Sequence, residues 1–165
     1  MATTNYSVIG NNLRLKDQFG VQFGTDSQFA LVQWEMGYNP AYHPLSEWTS
    51  NPISVNWTGT YTASSRAWSS TPSQMNFDSP IYLWVNPSGS QAGLYQITDN
   101  LTLDGVAKSI NLNTANIVSV VGTYSSNAFL TQDYSTWTPT AVPEPSYSSF
   151  AVALFAIAII ARRYV

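Results

Sequence analysis

The chain has 165 residues, of which 9% are charged, 14% are aromatic and none is cysteine. That length and texture suit one β-rich domain of about 140 residues with an appendage, and the lack of thiols excludes disulfides, thiolate metal sites and cysteine nucleophiles. Before residue 142 only Arg14, Lys16, Arg66 and Lys108 oppose eight carboxylates, a balance that argues against nucleic acid as a partner, since phosphate neutralisation needs clustered Lys and Arg.

Residues 1–140 show no helical period of three turns. Short alternating or β-branched runs, broken by turn residues, predict an all-β fold instead: an antiparallel two-sheet β-sandwich, jelly-roll-like, of roughly eight to ten strands. Residues 29–36 (FALVQWEM) and 53–57 (ISVNW) predict half-buried strands, the second with Ile53, Val55 and Trp57 on one face. Residues 81–85 (IYLWV) and 94–98 (LYQIT) predict a hairpin. Its turn is Asn86-Pro87-Ser88-Gly89, with Asn first, Pro where φ must be about −65° and Gly last, as a type I turn prefers.

A second hairpin is predicted in LTLDGVAKSINL (101–112), turned by Asp104-Gly105 as a type I′ turn, with Val106, Lys108, Ile110 and Leu112 alternating onward. Lys108 then falls on the apolar side, which suits an edge or a snorkelling side chain. Residues 117–121 (IVSVV) predict a buried strand and 128–130 a shorter one. The polar, proline-interrupted stretch 131–141 predicts a linker from a domain over 1–130 to the tail 142–165.

That tail reads VPEPSYSSFAVALFAIAIIARRYV. Twelve successive residues, 150–161, are apolar. As a helix they span roughly 18 Å against a hydrocarbon core of about 30 Å, and a start at residue 146 extends this only to about 24 Å. With no polar stripe, such a helix must be covered on every side, which a lipid bilayer provides more readily than a small β-domain. Arg162 and Arg163, at the end of the membrane helix, are expected to stay on the cytoplasmic side and the preceding domain outside. Pro143 and Pro145 hold the chain around Glu144 extended.

The order Val142-Pro143-Glu144-Pro145, short apolar helix, Arg162-Arg163 at the extreme end resembles the C-terminal sorting signal of PEP-CTERM proteins of biofilm-forming, exopolysaccharide-producing bacteria. The resemblance covers about 24 residues and implies export, recognition of Pro143, Glu144 and Pro145 by an exosortase-type membrane peptidase, an inner-membrane intermediate held by residues 146–161, and release or attachment at the surface. More loosely, SPIYLWVNPSGSQAGLYQITDN resembles the small β-rich ectodomains that carry such tails, most of them of unknown function. The opening MATTNYSVIGNNLRLKDQFG has neither a basic start nor an apolar run of 7 to 15 residues, so no signal peptide is expected there. A tail-anchored protein with a cytoplasmic β-domain would account for that, but it sends Arg162 and Arg163 across the bilayer.

Little in the sequence points to catalysis. His43, the single histidine, sits between prolines in NPAYHPLSEW and reads as a loop residue; no metal-ligand or nucleophile spacing surrounds it. Glu35 with Glu47, or Asp99 with Asp104, are the carboxylates from which a glycosidase pair would be drawn, and they read more simply as a solvated face and turn residues. No cofactor or metal is expected. Carbohydrate binding is the stronger alternative to a structural or adhesive role, because Trp rings edged by Asn and Thr suit sugar C–H faces. Trp48 and Trp68, in loop-like surroundings, are the candidate platforms for polysaccharide.

Overall fold

The computed structural model describes residues 4–35, 37–48, 52–75, 80–85, 90–99, 104–125, 127–133, 135 and 137–141, with 52–58, 73 and 75 described by their backbone alone. These residues are all-β. In chain order the strands are β1 (Thr4–Gly10), β2 (Arg14–Lys16), β3 (Ser27–Trp34), β4 (Pro52–Thr62), β5 (Ala67–Ser69), β6 (Ser73–Met75), β7 (Ile81–Val85), β8 (Gln91–Ile97), β9 (Lys108–Asn111), β10 (Ile117–Val121), β11 (Thr123–Ser125), β12 (Ala128–Leu130) and β13 (Gln132–Asp133). A 3-10 turn (Pro40–Tyr42) and the one-turn helix α1 (Leu45–Trp48) lie between β3 and β4. The expected sorting helix, like all of 142–165, lies outside the described residues, among which no helix is long and apolar enough to cross a membrane.

Ten strands form one curled sheet in the order β10-β8-β7-β3-β4-β5-β1-β6, with β9 added on β1 and β13 on β8; β11, β12 and β2 form a second, three-stranded sheet. The pairing is not uniformly antiparallel as expected. β9 runs parallel to β1 from Tyr6↔Lys108 to Ile9↔Asn111, and β12 runs parallel to β2. Parallel partners are far apart in sequence and are joined by no tight turn, so they leave no local signature.

The β7–β8 hairpin forms with Ile81 opposite Ile97 and Val85 opposite Gly93, and β8 begins at Gln91, earlier than the spacing predicts; the turn 86–89 is outside the described residues. Of the second expected hairpin, residues 101–103 are also outside them. The described half is β9, whose partner is β1. Gly105 has the positive φ of 78° that the turn requires, and the Asp104 carboxylate caps the turn by accepting from the Val106 amide at 3.1 Å. Alternation begins only at Lys108, because Val106 is exposed. Lys108 sits at the strand start with its ammonium 2.6 Å from Asp104, which reconciles its place beside Ile110.

Residues of β3 alternate between two cores. Phe29 and Leu31 join Tyr6, Val8, Leu83, Val85, Tyr95 and Phe129 on the inner side of the large sheet. Ala30, Val32 and Trp34 join Trp48, Tyr82, Trp84 and Leu94 on its other side. β3 and β7 are therefore buried on both faces, which corrects the half-buried reading over 29–34 and explains why IYLWV is apolar but for one hydroxyl. In contrast, β10 is an edge strand with Val118 exposed, although 117–121 was expected to be buried. β-branched residues suit a pleated edge as well as a core, so composition alone does not separate the two.

Two strands of the large sheet turn a corner into the small one. β1 passes through Asn12 (φ 55°) into β2, and β10 passes through Gly122 (φ 83°) into β11. At the second corner Tyr95 donates its hydroxyl to the Leu130 carbonyl at 2.7 Å. Along β1 the segments β5 and β6 act as one antiparallel partner with a one-residue slip between them. Ser70 sits at the slip, where its amide donates to the Val8 carbonyl and its hydroxyl accepts from the Val8 amide at 2.7 Å. A side chain thus replaces the missing ladder acceptor.

Residues 131–141 are not a free linker. Thr131 is buried and its hydroxyl donates to the Lys16 carbonyl at 3.1 Å; Gln132 and Asp133 extend the edge of β8; Trp137 packs on the outer core; and the Thr140 amide donates to Ala41 at 2.8 Å. The segment is a strap over the outer core, so the folded unit reaches at least Thr140. Its polar composition conceals this because one large ring, Trp137, does the covering.

Candidate functional site

The two proposed aromatic platforms are core residues. Trp48 closes α1 with no exposed surface, and its indole N–H donates to the carbonyls of Pro40 (2.9 Å) and His43 (3.0 Å). It packs edge-on to Trp34, Trp84 and Trp137. Trp68, on β5 and 2% exposed, donates to the Leu13 carbonyl at 3.0 Å and packs against Phe29, Tyr61 and Phe129. Neither ring face meets solvent, so the expectation of a sugar platform at these positions is corrected. The Ser and Pro residues around them signal short elements, which is compatible with full burial. The sorting residues Val142, Pro143, Glu144, Pro145, Arg162 and Arg163 lie outside the described residues.

His43 follows the 3-10 turn that Asn39 caps by accepting from the Ala41 amide. Its ring stacks on Tyr38, centroids 4.3 Å apart, and Nδ1 lies 2.8 Å from the Glu47 carboxylate. Three of the four candidate acids have structural partners, and the fourth, Glu35, is exposed just after β3. Asp99 accepts from the Asn116 amide and side chain at 3.0 and 2.7 Å. Asp104 pairs with Lys108, whose hydrogen bond, with that of the Val106 amide, holds its carboxyl below the usual carboxylate range. Glu47 is taken up by His43. These contacts brace loops.

A different place gathers chemistry that sequence reading missed. Arg14 and Lys16 project from the same side of β2, with Leu15 between them buried in the inner core. Alongside them β12 presents Ala128, opposite Arg14. Asn12, Arg14, Lys16, Asn127 and Ala128 line a groove of about 240 Å³. Two of these lining residues, Asn12 (φ 55°) and Asn127 (φ 66°), are left-handed, as is Arg66 (φ 53°) beside Asn12; these are the non-glycine residues with positive φ among those described.

Backbone bonds lock these turns together: Leu13 N–H to Arg66 O at 3.2 Å and Arg14 N–H to Asn127 O at 2.8 Å. The Arg66 guanidinium also donates to the Asn12 side chain at 3.2 Å. Such backbone conformations are uncommon for residues with a Cβ and persist only where the surroundings over-determine them. The nearest acid in sequence, Asp17, is occupied by the Phe19 and Val21 amides, and among the described residues no carboxylate pairs with Arg14, Lys16 or Arg66. In sequence the only trace is the RLK alternation, since Arg66 and Asn127 arrive from elsewhere in the chain.

Compared with protein-family models, curated proteins and solved structures, the chain matches none of them.

Proposed function

We propose that this is an exported surface or extracellular-matrix protein of a bacterium that makes exopolysaccharide, non-enzymatic, with a β-domain in a structural or adhesive role and a C-terminal sorting signal. Pro143, Glu144 and Pro145 are then the residues read by an exosortase-type peptidase, residues 146–161 the membrane handle, and Arg162 and Arg163 its cytoplasmic end. One observation carries this reading: twelve unbroken apolar residues, bracketed by Pro-Glu-Pro and Arg-Arg, close the sequence. A helix that is apolar all round needs cover on all sides.

The strap adds support. Thr140 is held to Ala41, so five residues, 141–145, separate it from residue 146, a reach of at most roughly 20 Å of extended chain. The motif would stand between the domain and the lipid. The finer description of the domain as a jelly-roll-like two-sheet sandwich belongs to the same reading; its support is the small sheet, whose Leu15 and Phe129 face the inner core of the large one.

Whole-cell proteolysis with mass spectrometry of the surface form tests the proposal. The domain should be cut by external protease, and the mature chain should lack residues 150–165. Pro143→Ala with Glu144→Ala should leave a membrane-held precursor. An intact tail in every copy would overturn the processing, and a domain protected from external protease would favour the tail-anchored, cytoplasmic arrangement.

A further inference from the structure

We infer that the groove between β2 and the Asn127 turn binds an acidic sugar, with its carboxylate on Arg14 and Lys16 and its hydroxyls on the amide side chains of Asn12 and Asn127. The choice of an extracellular polymer rests on the proposed function; the anion contacts do not.

The electrostatic case is one of distribution. The domain is acidic overall, yet three of its four cations before residue 142, Arg14, Lys16 and Arg66, gather at one end, while the fourth, Lys108, is paired with Asp104. Like charges placed together without an acid repel one another, and a bound anion relieves that repulsion. Arg14 and Lys16 are two residues apart on one face of a strand, about 6.5 Å, so one carboxylate can reach both. Guanidinium matches its two oxygens and ammonium adds a point charge.

The Asn127 amide offers a donor and an acceptor and the Asn12 amide its NH2 donor, the Asn12 oxygen already accepting from Arg66; such groups suit hydroxyls better than a second anion would. Their backbones are locked, so little ordering is needed on binding. The volume is below the roughly 300–1,000 Å³ of a drug-sized site and suits one sugar unit. The domain's negative balance disfavours a densely charged polymer, so the ligand carries one acidic sugar among neutral ones.

Position argues for a soluble polymer over a lipid headgroup. β2 and β12 cover the inner core, whereas the strap that leads to the tail covers the outer core on the other side of the large sheet. The last described residues thus lie over the outer core, and the groove lies by the small sheet that covers the inner one.

The test uses the full chain in neutral detergent, titrated by calorimetry with an oligosaccharide alternating glucuronate and N-acetylglucosamine. An N-acetylglucosamine oligomer of equal length, inorganic phosphate, and phosphatidylglycerol vesicles are the comparison arms. Saturable binding of the glucuronate oligomer is expected, weakened about tenfold or more by Arg14→Gln or Lys16→Gln, unaffected by the charge-matched Lys108→Gln, and reduced by salt. Amide NMR shifts at Asn12 and Asn127 of the unaltered protein should move on binding, which secures the result if a variant is misfolded.

Equal binding of the neutral oligomer, equal loss in Lys108→Gln, or no saturable binding overturns the site. Phosphate or vesicles binding more tightly than the glucuronate oligomer overturns the sugar. None of these outcomes depends on where the protein resides in the cell, so failure of the site and failure of the address are separately visible.

Discussion

Trp137 stands edge-on to Trp48, ring centroids 5.2 Å apart and planes at 63°, and this contact joins a polar, proline-interrupted segment to the outer core. Trp48 also meets Trp34 and Trp84 edge-on, so Trp137 completes an aromatic cluster that the large sheet leaves open on one side. Edge-to-face pairs add about 0.5–1.5 kcal/mol to the stabilisation from burial.

Trp137→Ala is expected to destabilise the full chain by about 1–3 kcal/mol, less than a fully buried Trp because the ring is only half-buried. Ending the chain after Leu130 should cost more, since it also removes the Thr131, β13 and Thr140 contacts, whereas ending it after Ala141 should leave the domain folded. Urea unfolding followed by Trp fluorescence measures all three; equal stability of the two truncations would mean that the strap contributes nothing.

Gly122 turns the chain from β10 into β11 with φ 83°, and a Cβ there would run into the Leu130 carbonyl. That carbonyl already accepts from Tyr95 and cannot move away without breaking the bond. Gly122→Ala is expected to cost about 2–4 kcal/mol, from left-handed strain plus the clash. A thermal melt within a degree of the parent would show that the corner is softer than its geometry implies.

Tyr61 is fully buried, and its hydroxyl has no hydrogen-bond partner among the described residues. An unmatched buried hydroxyl is costly, while its ring packs on Trp68 at 4.9 Å. Tyr61→Phe keeps the ring and is expected to be neutral or to raise stability by up to about 1–2 kcal/mol; a loss above about 1 kcal/mol would reveal a partner such as buried water.

Acid should act through two carboxyls, the exposed Asp104 and the half-buried Asp133. The Lys108 hydrogen bond lowers Asp104 below its ordinary range, and the Ser135 amide does the same for Asp133. Because both are depressed in the folded state, their contribution is present above the unfolded value of about 4 and is lost as pH falls through the folded values. Unfolding midpoints measured from pH 6 to pH 2 should fall more gently at the acid end in Asp104→Asn with Asp133→Asn than in the parent chain. Identical profiles would mean that neither bond survives in solution.

The sequence by itself determined the β class, the β7–β8 hairpin and the chemical contrast between body and tail. Each rests on neighbours along the chain: alternation, turn residues, an unbroken apolar run. It could not decide which Trp is buried, because a ring on a short element between Ser and Pro has the same local signature whether it faces solvent or, like Trp48 and Trp68, the core. It read Thr131 to Thr140 as linker because strap and linker share a polar composition, and only the position of Trp137 over Trp48 separates them. The cationic groove is wholly tertiary: Arg14 and Lys16 come from one segment, Arg66 from a second and Asn127 from a third, joined by two backbone hydrogen bonds and a parallel strand pair. Charges distant in sequence become one site only when the chain's corners bring them within each other's field.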